Sequence, residues 1–269
     1  MKLFKILLAV LLVAVSLLYG ISTLRTTLSG ENIGPTITCA SDTLEISVSA
    51  DDAALLEGVT ASDPQDGDLT GKVRVLSISK FITPGVAKIT YVVFDRHHNM
   101  ATLTRQLRYT DYRSPTFAIL EPLIYPKSTP IGLLDRIQVT DVLDGDITQM
   151  VRVAPMYTSS DPEVYTLNIQ VTNSMGDTSQ ITLPVIRHES SMNRAEIRLS
   201  SYLTYINAGS SFDPKSYLNA VVLPDGYGFM DDVEISNLVD TTTPGTYMVF
   251  YIYRDANYSG TSILTVVVQ

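Results

Sequence analysis

The chain lacks tryptophan, has a single cysteine and carries three histidines among 269 residues. With Cys39 alone, no part of it can hold an internal disulfide, which separates it from antibody-type domains whose sheets are clamped by one. In an exported chain this thiol could pair with another molecule; the simpler expectation is a small, partly buried residue. It stands too far past the N-terminal apolar segment to be a lipoprotein processing site. Of the histidines, His97 and His98 could hold zinc together with Asp95, but structural zinc needs four ligands and no other His or Cys is near in sequence. No Gly-x-Ser-x-Gly elbow leads into a helix, and no Cys–His nucleophile pair is suggested. Two carboxylates could converge for glycoside hydrolysis from anywhere in a chain, yet a small sandwich offers little room for a substrate cleft. A non-enzyme is expected. Clustered Lys and Arg are missing too: the net charge is −9 and the pI about 4.7, which argues against a nucleic-acid binder. Beyond the N-terminal segment, no helical periodicity is sustained.

What is present is repetition. Asp63-Pro64-Gln65-Asp66-Gly67-Asp68-Leu69-Thr70 is followed by Val73-Arg74-Val75, Thr83-Pro84-Gly85 and the alternating run Ile89 to Asp95. A shift of 78 positions brings Asp144-Gly145-Asp146-Ile147-Thr148, Val151-Arg152-Val153 and Leu167 to Asn173 into line without a gap. A shift of 160 places Thr243-Pro244-Gly245 on Thr83-Pro84-Gly85, and Asp255 on Asp95. A period near 80 residues exceeds solenoid repeats, so each copy reads as a small domain. Within a copy, short alternating runs such as Leu44-Glu45-Ile46-Ser47-Val48 are separated by Gly, Pro and Asp turns, the pattern of an antiparallel β-sandwich. In Thr-Pro-Gly, proline presets φ and glycine takes the positive φ of a type II turn. The second copy has Asp161-Pro162-Glu163 there and turns by other chemistry. Tyr91, Ile169 and Tyr251 share one inward-facing strand position and are expected to pack.

At the N-terminus, Lys2 and Lys5 flank an uncharged run from Ile6 to Ile21. Its exit lacks a small-x-small cleavage site, so an uncleaved signal anchor is favoured over a removed peptide. The lysines leave the N-terminus cytoplasmic and all that follows outside the cell. The expected organisation is an anchor over 1–25, a linker over 26–34, and modules over 35–112, 113–190 and 191–269. The fold class is all-β: three tandem Ig-like antiparallel β-sandwiches after an N-terminal transmembrane helix.

Asp66-Gly67-Asp68-Leu69-Thr70, Val73-Arg74-Val75, Thr83-Pro84-Gly85 and Tyr91 to Asp95 resemble the bacterial Ig-like repeat family of surface proteins and crystal-toxin ends. The first copy covers that pattern, with His97-His98-Asn99 in place of its usual Gly-Asn turn. The second has Asn173 for the strand-end Asp, and the third replaces the acidic turn by Gly226-Tyr227-Gly228. The resemblance implies a spacer or binding scaffold and leaves its role open.

Two groups of residues are functional candidates. Asp63, Asp66, Asp68 and Asp95, with Asp141, Asp144 and Asp146 in the second copy, could wrap calcium, which takes six to eight oxygens. Equally, Asp and Gly at these positions supply turn geometry. The third copy lacks the turn, so the fold does not need a metal there. Tyr227 and Phe229, set among glycines, either plug their own sandwich or stand exposed for a sugar ring or a protein partner. The function expected is a non-catalytic bacterial surface protein, membrane-anchored, presenting modules for adhesion or protein interaction. The alternatives are cell-wall glycan binding and an accessory role in an envelope complex.

Overall fold

A computed structural model of the chain describes residues 11–21, 33–154, 157–158, 163–189 and 193–269. Residues 11–21 form an exposed helix, and among the described residues no helix is long and apolar enough to cross a membrane. Lys2, Lys5, residues 22–25 of the expected anchor, 26–32 of the expected linker and Asp161-Pro162 lie outside the described residues.

Everything else is strand, short 3-10 turn or loop. The first stretch contributes β1 (Thr36–Cys39), β2 (Thr43–Ile46), β3 (Val59–Asp63), β4 (Gly67–Asp68), β5 (Arg74–Ile78), β6 (Val86–Phe94) and β7 (Met100–Tyr109). The second contributes β8 (Thr116–Ile119), β9 (Ile124–Pro126), β10 (Ile137–Asp141), β11 (Gly145–Asp146), β12 (Arg152–Val153), β13 (Tyr157–Thr158), β14 (Val164–Thr172) and β15 (Thr178–His188). The third contributes β16 (Glu196–Leu199), β17 (Leu203–Ile206), β18 (Leu218–Leu223), β19 (Gly226–Gly228), β20 (Val233–Asn237), β21 (Gly245–Arg254) and β22 (Ser259–Val268). By their contacts these fall into two units, one of residues up to Ser79 with Ala87–Arg108, the other of Lys80–Val86 with Tyr109–Gln269.

The first unit carries the sheets β1-β3-β4 and β2-β7-β6-β5. Alternation makes the sandwich: Val59 and Ala61 on β3 and Ile89, Tyr91 and Val93 on β6 are buried, each separated by an outward residue or its neighbour on the other face. The Tyr91 hydroxyl donates to the Leu55 carbonyl at 2.7 Å and accepts from Arg105 Nε at 2.8 Å. Arg105 is itself buried, and its Nη2 donates to the Glu57 carbonyl at 2.7 Å. A buried guanidinium is tolerated here because carbonyl and hydroxyl oxygens replace its water.

The second unit repeats this plan twice, with β8-β10-β11 facing β9-β15-β14-β12 (β13 also pairs with β14), and β16-β18-β19 facing β17-β22-β21-β20. Its sheets are not wholly antiparallel. β9 runs parallel to β15, and β17 parallel to β22. The chain leaves one sheet after its first strand and joins the edge of the other, so one continuous backbone ties both sheets together. That link is covalent where a disulfide is lacking. The two stretches also share apolar burial. Leu203 belongs to the core of Phe117, Ile137, Val139 and Leu183, and Tyr205 and Val267 pack against it. The Tyr205 hydroxyl accepts the Phe117 N–H at 3.0 Å. A smaller cluster joins Val164, Ile186 and Ile263.

Thr83-Pro84-Gly85-Val86 forms the expected turn: Gly85 has φ +76°, and the Val86 N–H donates to the Thr83 carbonyl at 2.8 Å. Thr243-Pro244-Gly245 does not, because Gly245 already begins β21, where it pairs with Val268. Tyr91, Ile169 and Tyr251 are all buried. Tyr251 donates to the Pro214 carbonyl at 2.6 Å, as Tyr91 does to Leu55, and Ile169 fills the same place with no polar atom to satisfy. By contrast, the Thr265 hydroxyl is buried without a hydrogen-bond partner. Tyr251→Phe is therefore expected to lower stability by about 1–3 kcal/mol through the orphaned carbonyl. Thr265→Val is expected to leave it unchanged or raise it. Thermal melting of both variants checks this, and a destabilising Thr265→Val would show that the hydroxyl is paired.

Candidate functional site

The acidic turns are built from strand ends. β3 closes on Asp63, whose buried carboxylate accepts through Oδ1 the N–H groups of Gln65 and Asp66, both at 2.8 Å. Gly67, with φ +75°, then reverses the chain so that β4 pairs back on β3. Asp66 turns the other way: its Oδ2 accepts the Arg96 N–H at 2.7 Å, and its Oδ1 lies 3.0 Å from Arg96 Nε. Asp68 Oδ1 accepts the Thr70 N–H at 2.8 Å. Across the unit, Asp95 Oδ1 accepts the N–H groups of His97 and Asn99, and its Oδ2 accepts Asn99 Nδ2 at 2.5 Å.

The second copy keeps the backbone N–H bonds of the three turn aspartates and differs in the side chains around them. Asp141 Oδ1 accepts from Leu143 and Asp144, Asp144 from the N–H and hydroxyl of Ser174, and Asp146 from the N–H and hydroxyl of Thr148. Asn173, standing where Asp95 stands, donates through Nδ2 to Asp141 Oδ2 at 3.0 Å and to the Tyr112 hydroxyl at 2.8 Å. Tyr112 in turn donates to Asp177 at 2.8 Å, and burial with that carboxylate pushes its own ionisation upward. So Asp63, Asp66 and Asp95 are brought to one end of the first unit, and Asp141 and Asp144 to one end of a sheet pair in the second. Asp68 and Asp146 turn aside to their threonines. Among the described residues, no three His, Cys, Asp or Glu side chains form a ready metal cage.

The aromatic candidates sit elsewhere. Gly226-Tyr227-Gly228 is not a turn but the edge strand β19, with Tyr227 opposite Val222. A Cβ on Gly228 would lie 2.9 Å from the Tyr253 ring and from Val221, so glycine is what lets this edge close over the core. Tyr227 and Phe229 are each 78 % exposed, which favours presentation over plugging. Cys39 is partly exposed at the end of β1, its thiol pushed up chiefly by burial. One feature is invisible to motif reading: a cavity of about 610 Å³ on the β12-β14-β15 face, lined by Arg152, Asn168, Gln170, Gln180, Thr182 and Thr246. Its residues on β12, β14 and β15 meet through cross-strand register, Arg152 opposite Gln170 and Gln170 opposite Gln180, and Thr246 comes from β21. Period-two polar positions on three strands were the available signal.

No protein-family model and no curated protein matches the chain. Solved structures similar to it include CBM51-2 in complex with GlcNAc and INT domains from Clostridium perfringens ZmpB, at 19 % identity and TM-score 0.23, covering 55 % of this chain and 26 % of that one. A lipoprotein from Bacteroides thetaiotaomicron is 11 % identical, with TM-score 0.21 and coverage of 86 % and 98 %. A protocadherin gammaB7 EC3-6 cis-dimer is 11 % identical, with TM-score 0.21 and coverage of 86 % and 73 %. The chain spans 26 % and 30 % of the two ZmpB structures it matches. At these scores the likenesses say nothing about role.

The Thr70 hydroxyl and N–H hold the Asp68 carboxyl below the ordinary aspartate range, and Thr148 does the same for Asp146. A carboxyl with a depressed folded value stabilises the fold above the unfolded value, near pH 4, and loses that contribution as pH falls through the folded one. The melting temperature is therefore expected to hold above about pH 4 and decline below it. Thr70→Val with Thr148→Val should flatten this decline; an unchanged acid limb in the double variant would contradict the assignment.

Proposed function

We propose that this chain is a non-catalytic surface protein of the bacterial Ig-like repeat type, presenting three tandem β-sandwiches for adhesion or protein interaction. In this reading residues 1–25 anchor it in the membrane, the N-terminus is cytoplasmic and the modules are extracellular. The observation that carries the reading is the shared core of Leu203 with Phe117, Ile137 and Leu183, reinforced by the bond from Phe117 to Tyr205. Modules that bury apolar side chains in common resist bending, as a spacer requires. The full chain with a C-terminal epitope tag, expressed in a Gram-positive bacterium, should be stained by antibody on intact cells. Staining only after permeabilisation would refute the topology.

A second reading, cell-wall glycan binding, is favoured by one observation: two aromatic side chains stand 78 % exposed at Tyr227 and Phe229. Exposed aromatic faces suit sugar rings. Replacing both by alanine should weaken retention of the full chain on purified cell-wall polysaccharide at least about tenfold, equivalent to ~1.4 kcal/mol. Equal retention would remove this reading and leave the first intact. The accessory role in an envelope complex is an extension of the first reading, with the third module as the docking element.

A further inference from the structure

The two acidic turns share the pair of N–H groups on the first oxygen of the strand-end aspartate and differ at its second oxygen. In the second copy Asp141 is buried and both its oxygens are satisfied, Oδ1 by two N–H groups and Oδ2 by Asn173 Nδ2 at 3.0 Å. In the first, Asp63 is 5 % exposed, Oδ1 takes the same two N–H groups, and Oδ2 is buried with no hydrogen-bond partner. The cause is visible in the sequence correspondence. Asn173 and Asp177 of the second copy match Asp95 and Asn99 of the first, so the acid and the amide have changed places. Where the second copy has a donor for the buried oxygen, the first has Asp95 at the corresponding position, itself 6 % exposed. Tyr112, whose hydroxyl bridges Asn173 and Asp177, is matched by Gly34 and has no counterpart side chain.

A buried carboxylate oxygen left without a donor is costly unless positive charge lies against it. Arg96 does not supply it, since its guanidinium is spent on Asp66, and its N–H goes to the same carboxylate. We infer that Asp63 and Asp95 hold a hard divalent cation, calcium being the class that two carboxylates completed by water suit. The second copy has no such site because Asn173 already fills the position with an N–H donor. Two carboxylates fall short of a full cage, so the affinity expected is that of extracellular modules, about 10⁻⁴–10⁻³ M.

The test is thermal melting of the full chain in detergent, with calcium chloride from zero to ten times the expected dissociation constant, magnesium chloride as the comparison. Wild type should gain about 5 °C at saturation with calcium and less with magnesium. Asp95→Asn recreates the arrangement of the second copy; it should melt higher than wild type without calcium and show no response to it. Asp63→Asn supplies a donor from the other side and should behave alike, which covers the case in which one variant fails to fold. An unresponsive wild type would overturn the site, as would a calcium response retained by both variants.

Discussion

One buried carboxylate oxygen at the end of a core strand organises each acidic turn. Asp63 and Asp141 each gather two backbone N–H groups of the loop that follows, replacing the water those groups lose. With the loop so closed, the next two residues can return as β4 or β11, and Leu69 or Ile147 drops into the core behind them. A slip of one residue would turn the strand inside out, so the bond also protects the register of β3 and β10. The third copy has Leu223 where these aspartates stand, and reverses through Pro224 and Asp225 instead.

Built on that constraint, the copies vary where the fold permits. A buried hydroxyl at Tyr91 or Tyr251 needs a carbonyl, and each finds one in the 3-10 turn opposite; Ile169 removes the need altogether. The parallel edge strands β9 and β17 supply the inter-sheet tie that disulfides give other sandwiches. Variation at the second oxygen of the turn aspartate has a chemical consequence rather than a packing one. The Asn173 amide closes the network in the second copy, and in the first the second oxygen of Asp63 is buried without a partner.

Much of this was legible in the residues, for physical reasons. Alternation over Val59–Asp63 and Ile89–Asp95 marked half-buried strands, and Gly67, Gly85 and Gly145 adopt the left-handed φ that their turns demand. The sheet-switching parallel edges were not legible, since a three- or four-residue strand such as Ile124–Pro126 carries no sign of which sheet it joins. The same Thr-Pro-Gly letters make a tight turn once and open a strand the second time, because in β21 the cross-strand pairing with Val268 governs the backbone. The acidic residues were found, but not their division of labour: Asp66 and Asp144 depend on Arg96 and Ser174, thirty positions away. The cavity beside Arg152 was missed for the same reason, its residues being brought together from distant strands.

The turn bonds that the first two copies share are structural. Their central consequence is that the buried turn carboxylate holds the loop rigid. Residue-resolved amide hydrogen exchange at Leu143 and Asp144 tests this directly, because both N–H groups point at Asp141 and neither belongs to a strand ladder. The account predicts protection comparable with the neighbouring β10 amides at neutral pH; exchange at the rate of an open loop would contradict it.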